Sequence, residues 1–194
     1  MQMGLEKFVR LASRTGRELQ RYDEFGLGRR QVVGCIPYRY LNAKQSSSSS
    51  SSIHGILEEV EVLLITSQKS QTMMFPKGGW DSDETIEEAV KRESEEEAGV
   101  TGVVQCMLGT WCFKSKSREA FRDGYMFLLL VEEQLDHWPE KNTRQRRWVK
   151  IAEARELCPY LWMKEALDQL VQRLASSFTA GDRIQKPAGE LRRK

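Results

Sequence analysis

Apolar positions along this chain recur with two different periods, and the switches between them mark out its elements. Residues 31–40 (QVVGCIPYRY) and 59–66 (EVEVLLIT) are short runs rich in β-branched and aromatic side chains, and 103–113, 124–131 and 147–151 read the same way. Each is a strand by length and composition. A period near 3.6 appears where Ile86, Ala89 and Val90 form an apolar stripe. It returns where Leu167, Leu170, Val171 and Leu174 stand at i, i+3, i+4 and i+7 of a closing helix over 163–174. Residues 152–157 have room for one or two helical turns. Strands mixed with helices in this order predict an α/β sandwich around a mixed sheet.

Between the first two strands lies an unbroken serine run over 46–52. It cannot bury apolar area, so residues 44–56 are expected as a flexible loop inside the domain, a length tolerated because loop entropy grows slowly. At 194 residues the chain has room for one core. The expected domain spans 28–174, with residues 1–27 as an extension and 175–194 as a disordered basic tail. No apolar run approaches a membrane span. The four cysteines, Cys35, Cys106, Cys112 and Cys158, form no C-x-x-C pair, and His54 and His137 stand alone, so zinc is not expected. The cysteines are expected as small buried hydrophobes in a reducing compartment.

The richest chemistry lies between the glycines at 78 and 99. Fixed residues Gly78, Glu84, Arg92, Glu93, Glu96, Glu97, Gly99 and Val100 give the spacing G-x5-E-x7-R-E-x-x-E-E-x-G-V. Asp81, Ser82, Asp83 and Thr85 are all competent N-caps for a helix that Gly99 would end. On that helix Glu93, Glu96 and Glu97 are i,i+3 and i,i+4 neighbours, so three carboxylates share one face, expected to open outward into a cleft. Uncompensated, they repel. A hard divalent cation such as Mg²⁺ or Mn²⁺ reverses the sign, because it takes one or two carboxylates and completes its shell with water and substrate phosphates. Gly78 and Gly79 would let the backbone approach a phosphate or turn sharply. Arg92 is expected to fold back on Glu84, both orienting rather than reacting.

This spacing resembles the signature of the Nudix hydrolases. Met74-Phe75-Pro76-Lys77-Gly78-Gly79-Trp80, Arg30-Gln31-Val32-Val33-Gly34-Cys35, Gly124-Tyr125-Met126-Phe127 and Trp148-Val149-Lys150 look like the plant members of the diphosphoinositol polyphosphate phosphohydrolase type. The resemblance covers roughly residues 4–172. It implies the Nudix fold, a mixed sheet in an α/β/α sandwich carrying a catalytic loop-helix motif. It further implies Mg²⁺ or Mn²⁺ on Glu93, Glu97 and Glu96, and hydrolysis of a pyrophosphate link with Glu97, or else Glu96, taking the proton and Arg92 supporting them. Two positions depart from the pattern. Ser94 stands where the family is usually aliphatic and should point inward, and Lys77 stands where relatives outside plants have a third glycine.

Basic residues gather where strands end: Lys114, Lys116, Arg118 and Arg122 in one loop, Arg144, Arg146, Arg147 and Lys150 in another, Arg21, Arg29 and Arg30 ahead of the first strand. With Lys77, Gly78 and Gly79 they suggest a funnel for a heavily phosphorylated small molecule, Arg21, Arg29, Arg118, Arg122 and Arg144 being the expected contacts. A nucleoside would ask for aromatic stacking, for which Trp80, Trp111, Phe113 and Phe121 are candidates. The implied substrates are diphosphoinositol polyphosphates and diadenosine polyphosphates. The alternatives are other nucleoside diphosphate derivatives of the ADP-ribose type, or a Nudix module that binds without hydrolysing. The partner is expected to be that small molecule, with neither membrane nor nucleic acid, on a monomer. Cytoplasm and/or nucleus is the expected location. Lys7, Arg10, Arg14, Arg17 and Arg21 beside an apolar face over 5–21 give mitochondrial import as the alternative.

Overall fold

The structure, a computed structural model, describes residues 12–24, 26–41, 53–114 and 120–179. Its sheet is built on β1 (Arg30–Tyr40), which pairs in parallel with β6 (Phe121–Gln134) along one edge. Its other edge is divided. The first half meets β4 (Lys77–Gly79) through Val32↔Gly79, Val33↔Gly78 and Gly34↔Lys77, and the second half meets β2 (Val60–Thr66) through Tyr38↔Val62. β2 also pairs with β3 (Met73–Met74) and β7 (Arg146–Lys150), and β5 (Val100–Lys114) closes the far side against β6 with three shifts of register.

The strands alternate between two apolar cores, as period 2 requires. Val33, Cys35, Leu63, Ile65, Phe127 and Leu129 pack on Ala89 and Val90 of α2 (Ile86–Glu93). Their neighbours Ile36, Tyr38, Val62, Leu64, Met126 and Leu128 pack on Ala154 of α3 (Ile151–Leu157) and on Met163, Leu167, Leu170 and Leu174 of α4 (Leu161–Thr179). The expected α/β/α sandwich is therefore present, with α2 alone on one face.

Several elements differ from the expectation. Of the expected loop over 44–56, residues up to 52 lie outside the described residues, and from Ile53 the chain is a short helix, Ile53–Glu58. α4 runs five residues past the expected end, into the segment assigned to the tail. Residues 180–194 and the N-terminal residues 1–11 lie outside the described residues. β4 has two glycines in three residues and so shows no alternation to read. Two cysteines, Cys106 and Cys112, are exposed rather than buried, both carried on the bulged outer strand β5, while Cys35 and Cys158 are buried as expected. All four are free thiols.

Candidate active site

The start of the acidic helix is fixed three times over. Thr85 and Glu88 form a capping box, Trp80 Nε1 donates to the Glu84 carbonyl at 3.1 Å, and the Asp81 amide donates to the Glu84 carboxylate at 3.1 Å. Thr85 thus takes the cap from the four candidates. After Glu93 the helix does not continue as an α-helix. Residues Ser94–Ala98 form a π-helical turn, and the Gly99 amide bonds back to Ser94 O as well as Glu95 O. Ser94 points inward as expected, its Oγ donating to Lys91 O at 2.8 Å and Val100 O at 3.3 Å. Gly99 closes the turn at φ 61°, a left-handed conformation in which a side chain would also strike Trp138 and Arg146. Arg146 then caps the helix from below: Nη1 donates to Ala98 O and Gly99 O at 3.1 and 3.0 Å, Nη2 to Leu135 O, and the guanidinium lies 4.0 Å over the Trp138 ring.

The three glutamates carried on this turn are 7 %, 3 % and 7 % exposed for Glu93, Glu96 and Glu97, which corrects the expected open acidic face. Arginines compensate them. Arg92 makes a two-pronged pair with Glu84, at 2.9 Å from Nε and 2.6 Å from Nη2, and gives Nη1 to Glu93 at 2.6 Å and Nη2 to Gly79 O. Glu97 uses both oxygens: Oε2 accepts the Lys77 amide at 2.8 Å, and Oε1 accepts Arg144 Nη2. Glu96 accepts the Arg14 amide at 3.2 Å, and its carbonyl takes the Glu140 amide. Burial, then the Glu97 charge, pushes the Glu93 carboxyl up to about 8 in spite of Arg92. Burial also raises Glu97 against the pull of Arg144 and Lys77, and burial lowers the Lys77 ammonium.

Gly78 and Gly79 do not turn the chain; both lie in β4 with φ outside the left-handed region. Their bareness serves close approach. A Cβ at 78 would fall on the Glu93 carboxylate, and one at 79 on Gln20 Oε1 and the Arg30 guanidinium. Gln20 is the piece that sequence reasoning missed. Its Nε2 donates to Arg21 O, Gln31 O and Trp80 O at 3.2, 3.0 and 2.9 Å, while Oε1 accepts Arg30 Nε.

The basic residues divide sharply. Arg21 lies 4.4 Å over the Trp80 ring and donates to Asp81 O and Ser82 O, and Arg29 pairs with Asp123 and touches Cys112 Sγ. Arg21 is thus engaged at the residues that follow β4 and Arg29 on the β6 side, while Arg30 turns inward instead. Arg30 lies over Gly79, within electrostatic reach of Glu93, and its pKa is lowered by burial and then by Arg122 and Arg17. Arg122 stands beside it in register. Arg118 and Lys116 lie outside the described residues. In the second cluster Arg144 reaches a carboxylate of the acidic turn and Arg146 its closing carbonyls, while Arg147 pairs with Glu153 and Lys150 with Glu58 O. The aromatic candidates are mostly committed to packing: Phe113 stacks on Trp162 at 5.2 Å, Trp111 donates to Glu165, and Trp80 stands against Tyr125.

Among the described residues no three Asp, Glu, His or Cys side chains converge as a ready-made metal cage. Magnesium does not require one, since it keeps waters and takes one or two carboxylates. Glu93 and Glu97 fit that demand: hard oxygen donors, buried, and close enough that the charge of one raises the pKa of the other.

The NUDIX domain model matches residues 51–174, a span that begins downstream of β1. Nudix hydrolase 17, mitochondrial, of Arabidopsis thaliana is 57 % identical over 174 residues, 90 % of either chain. More distantly, diphosphoinositol polyphosphate phosphohydrolase 3-alpha of Mus musculus is 34 % identical over 99 residues, 50 % of this chain and 58 % of that one. Among solved structures the crystal structure of the C. elegans Ap4A hydrolase superposes with a TM-score of 0.55 at 21 % identity, covering 75 % of this chain and 98 % of that one. That likeness bears on the fold. The capped acidic helix, the Gly78 backbone held against Glu93 and these matches converge on one assignment: the chain belongs to the Nudix hydrolases, which act on pyrophosphate bonds and generally use a divalent metal.

Proposed function

We propose that this protein is a Mg²⁺- or Mn²⁺-dependent hydrolase of phosphoanhydride bonds in heavily phosphorylated small molecules, diphosphoinositol polyphosphates first and diadenosine polyphosphates second. The observation that carries this reading is the buried Glu93–Glu97 pair, with arginines on its oxygens and Lys77, Arg30 and Arg122 alongside. When bound there, the ion neutralises phosphate charge and lowers the pKa of its water. The chain's own residues do the rest. Glu93 and Glu97 hold the ion, Arg92 fixes Glu93 against β4, and Glu97 takes the proton from the attacking water, with Glu96 orienting it. Lys77, Arg30, Arg122 and Arg144 contact non-bridging oxygens, with Arg118 as a further contact.

The inositol compound is favoured because few aromatic side chains among the described residues are left to stack a base, Phe121 at 54 % and Tyr22 at 48 % exposure being the open ones, and because the murine relative bears that activity in its name. The test is substitution of Glu97→Gln with phosphate release measured in Mg²⁺. Loss of turnover by a factor of about 10² or more is expected, whereas a binding module would have no turnover to lose. Competition between a diphosphoinositol polyphosphate and diadenosine hexaphosphate, read as kcat/KM, then ranks the substrates. For location we propose cytoplasm or nucleus; mitochondrial import is the second reading, supported by the name of the Arabidopsis relative.

A further inference from the structure

Arg144 is placed where two tasks meet. Its guanidinium is 9 % exposed for the residue as a whole and spans two carboxylates from different parts of the chain, Glu97 on the π-helical turn and Glu140 ahead of β7, the latter at 2.5 Å from Nε. Nη1 donates to Thr66 O at 2.9 Å at the end of β2. Arg144 is also part of the wall of a cleft of about 490 Å³ lined by Thr66, Ser67, Lys69, Lys141 and Thr143, polar and basic with no carboxylate in its lining. The same side chain therefore holds an acidic pair behind it and borders an anion-compatible cleft in front.

The oxygens of Glu97 make these two positions mutually exclusive. Oε2 is committed to the backbone amide of Lys77, which β4 fixes in place. Oε1 is the one held by Arg144. A divalent ion that uses Oε1 meets a guanidinium on the same atom, and two cations a few ångströms apart in a buried site repel strongly. One must leave, and the arginine has a long stem and an open cleft to leave into.

We propose that Arg144 is an exchangeable counter-ion: it neutralises Glu97 and Glu140 while no divalent ion is bound, and it turns into the Lys69–Lys141 cleft to hold substrate phosphate once Glu97 Oε1 is taken. The inference rests on the hydrolase reading above. Its consequence is that metal and phosphate bind in an assisted order, because an arginine becomes available to the phosphate through the binding of the ion.

Calorimetric titration of Mn²⁺, and of inorganic tripolyphosphate with and without Mn²⁺, separates this from a fixed structural clamp. In Arg144→Ala, Mn²⁺ binds about tenfold more tightly, since a competing cation is gone. Tripolyphosphate binding weakens by about tenfold in the presence of Mn²⁺ and stays within about twofold in its absence. Arg144→Gln keeps a donor for Thr66 O without the charge and shows the same pattern, which covers the case in which the alanine variant does not fold. Unchanged or weaker Mn²⁺ binding overturns the exchange, as does an equal loss of tripolyphosphate binding in both conditions. If the unaltered protein binds Mn²⁺ and hydrolyses its substrate while either of those results is found, the exchange falls and the hydrolase stands; if the unaltered protein binds no Mn²⁺, both fall.

Discussion

An alanine at position 78 would set its methyl on the Glu93 carboxylate, and the carboxylate is not free to yield, being buried and bonded to Arg92. Gly78→Ala is therefore expected to cost about 1–3 kcal/mol of stability through overpacking, and to lower kcat/KM by about 10²-fold because an ångström of displacement at the reacting group is enough. Urea denaturation and steady-state kinetics check the two together; activity within a few fold of the parent would refute the placement of Gly78 against Glu93. At this scale much was legible. Arg92 with Glu84, Ser94 pointing inward and Gly99 as the stop all follow from spacing along a helix. The choice of arginine was not. Arg21, Arg29 and Arg30 are equivalent as letters, and their roles diverge because Tyr22 bridges to Arg30 while Gln20 takes its guanidinium, contacts that have no local signal.

Among the elements, the acidic helix depends on its far end as much as on its cap. Arg146 donates to Ala98 O and Gly99 O at the helix end and ties them to Leu135 O past the end of β6, and it does so while stacked on Trp138. Arg146→Ala is expected to lower unfolding free energy by about 2–3 kcal/mol, with weaker Mn²⁺ binding because Glu97 sits one residue before the loosened carbonyl. A loss below about 0.5 kcal/mol by urea denaturation, the range of an ordinary surface change, would show that the cap is idle. The long strands and α4 were readable from their periods. The π-helical turn was not, since an i,i+5 closure leaves the same apolar and acidic letters as an i,i+4 one, and β4 was hidden by having almost no side chains.

For the molecule as a whole, burying an acid pair beneath a sheet ties folding to proton binding and, on the proposed function, to metal binding. Glu93 titrates near 8 in the folded protein and near 4.3 unfolded, so between those values the native state holds a proton that the unfolded chain has released. Stability of the metal-free protein is then expected to fall as pH rises from about 4.3 to about 8, the contribution being complete at the acid end of that window and gone at the alkaline end. Saturating Mg²⁺ should flatten the slope, because the ion keeps the carboxylate ionised. Thermal melts at a series of pH values, in chelator and in Mg²⁺, test this; a metal-free Tm that rises across the window would contradict it. The sandwich itself was foreseeable from the order of periods. The split edge of β1, shared by β4 and β2, was not, because it brings together residues 43 to 47 positions apart on the β4 side and 20 to 24 apart on the β2 side with nothing local to announce it.

Gln20 lies ahead of the boundary at residue 28 that composition suggests, yet its amide is bonded to Trp80 O and Gln31 O and its oxygen to Arg30. A polypeptide trimmed to begin at that boundary would keep every strand and every glutamate of the acidic helix while leaving a notch above Gly79, through which water reaches Arg30 and the β1–β4 seam. The stretch from Ser13 to Tyr22 is thus a gasket over the β1–β4 seam, and proteolytic shortening past Ser13 would change how the site leaks before it changed how the chain folds.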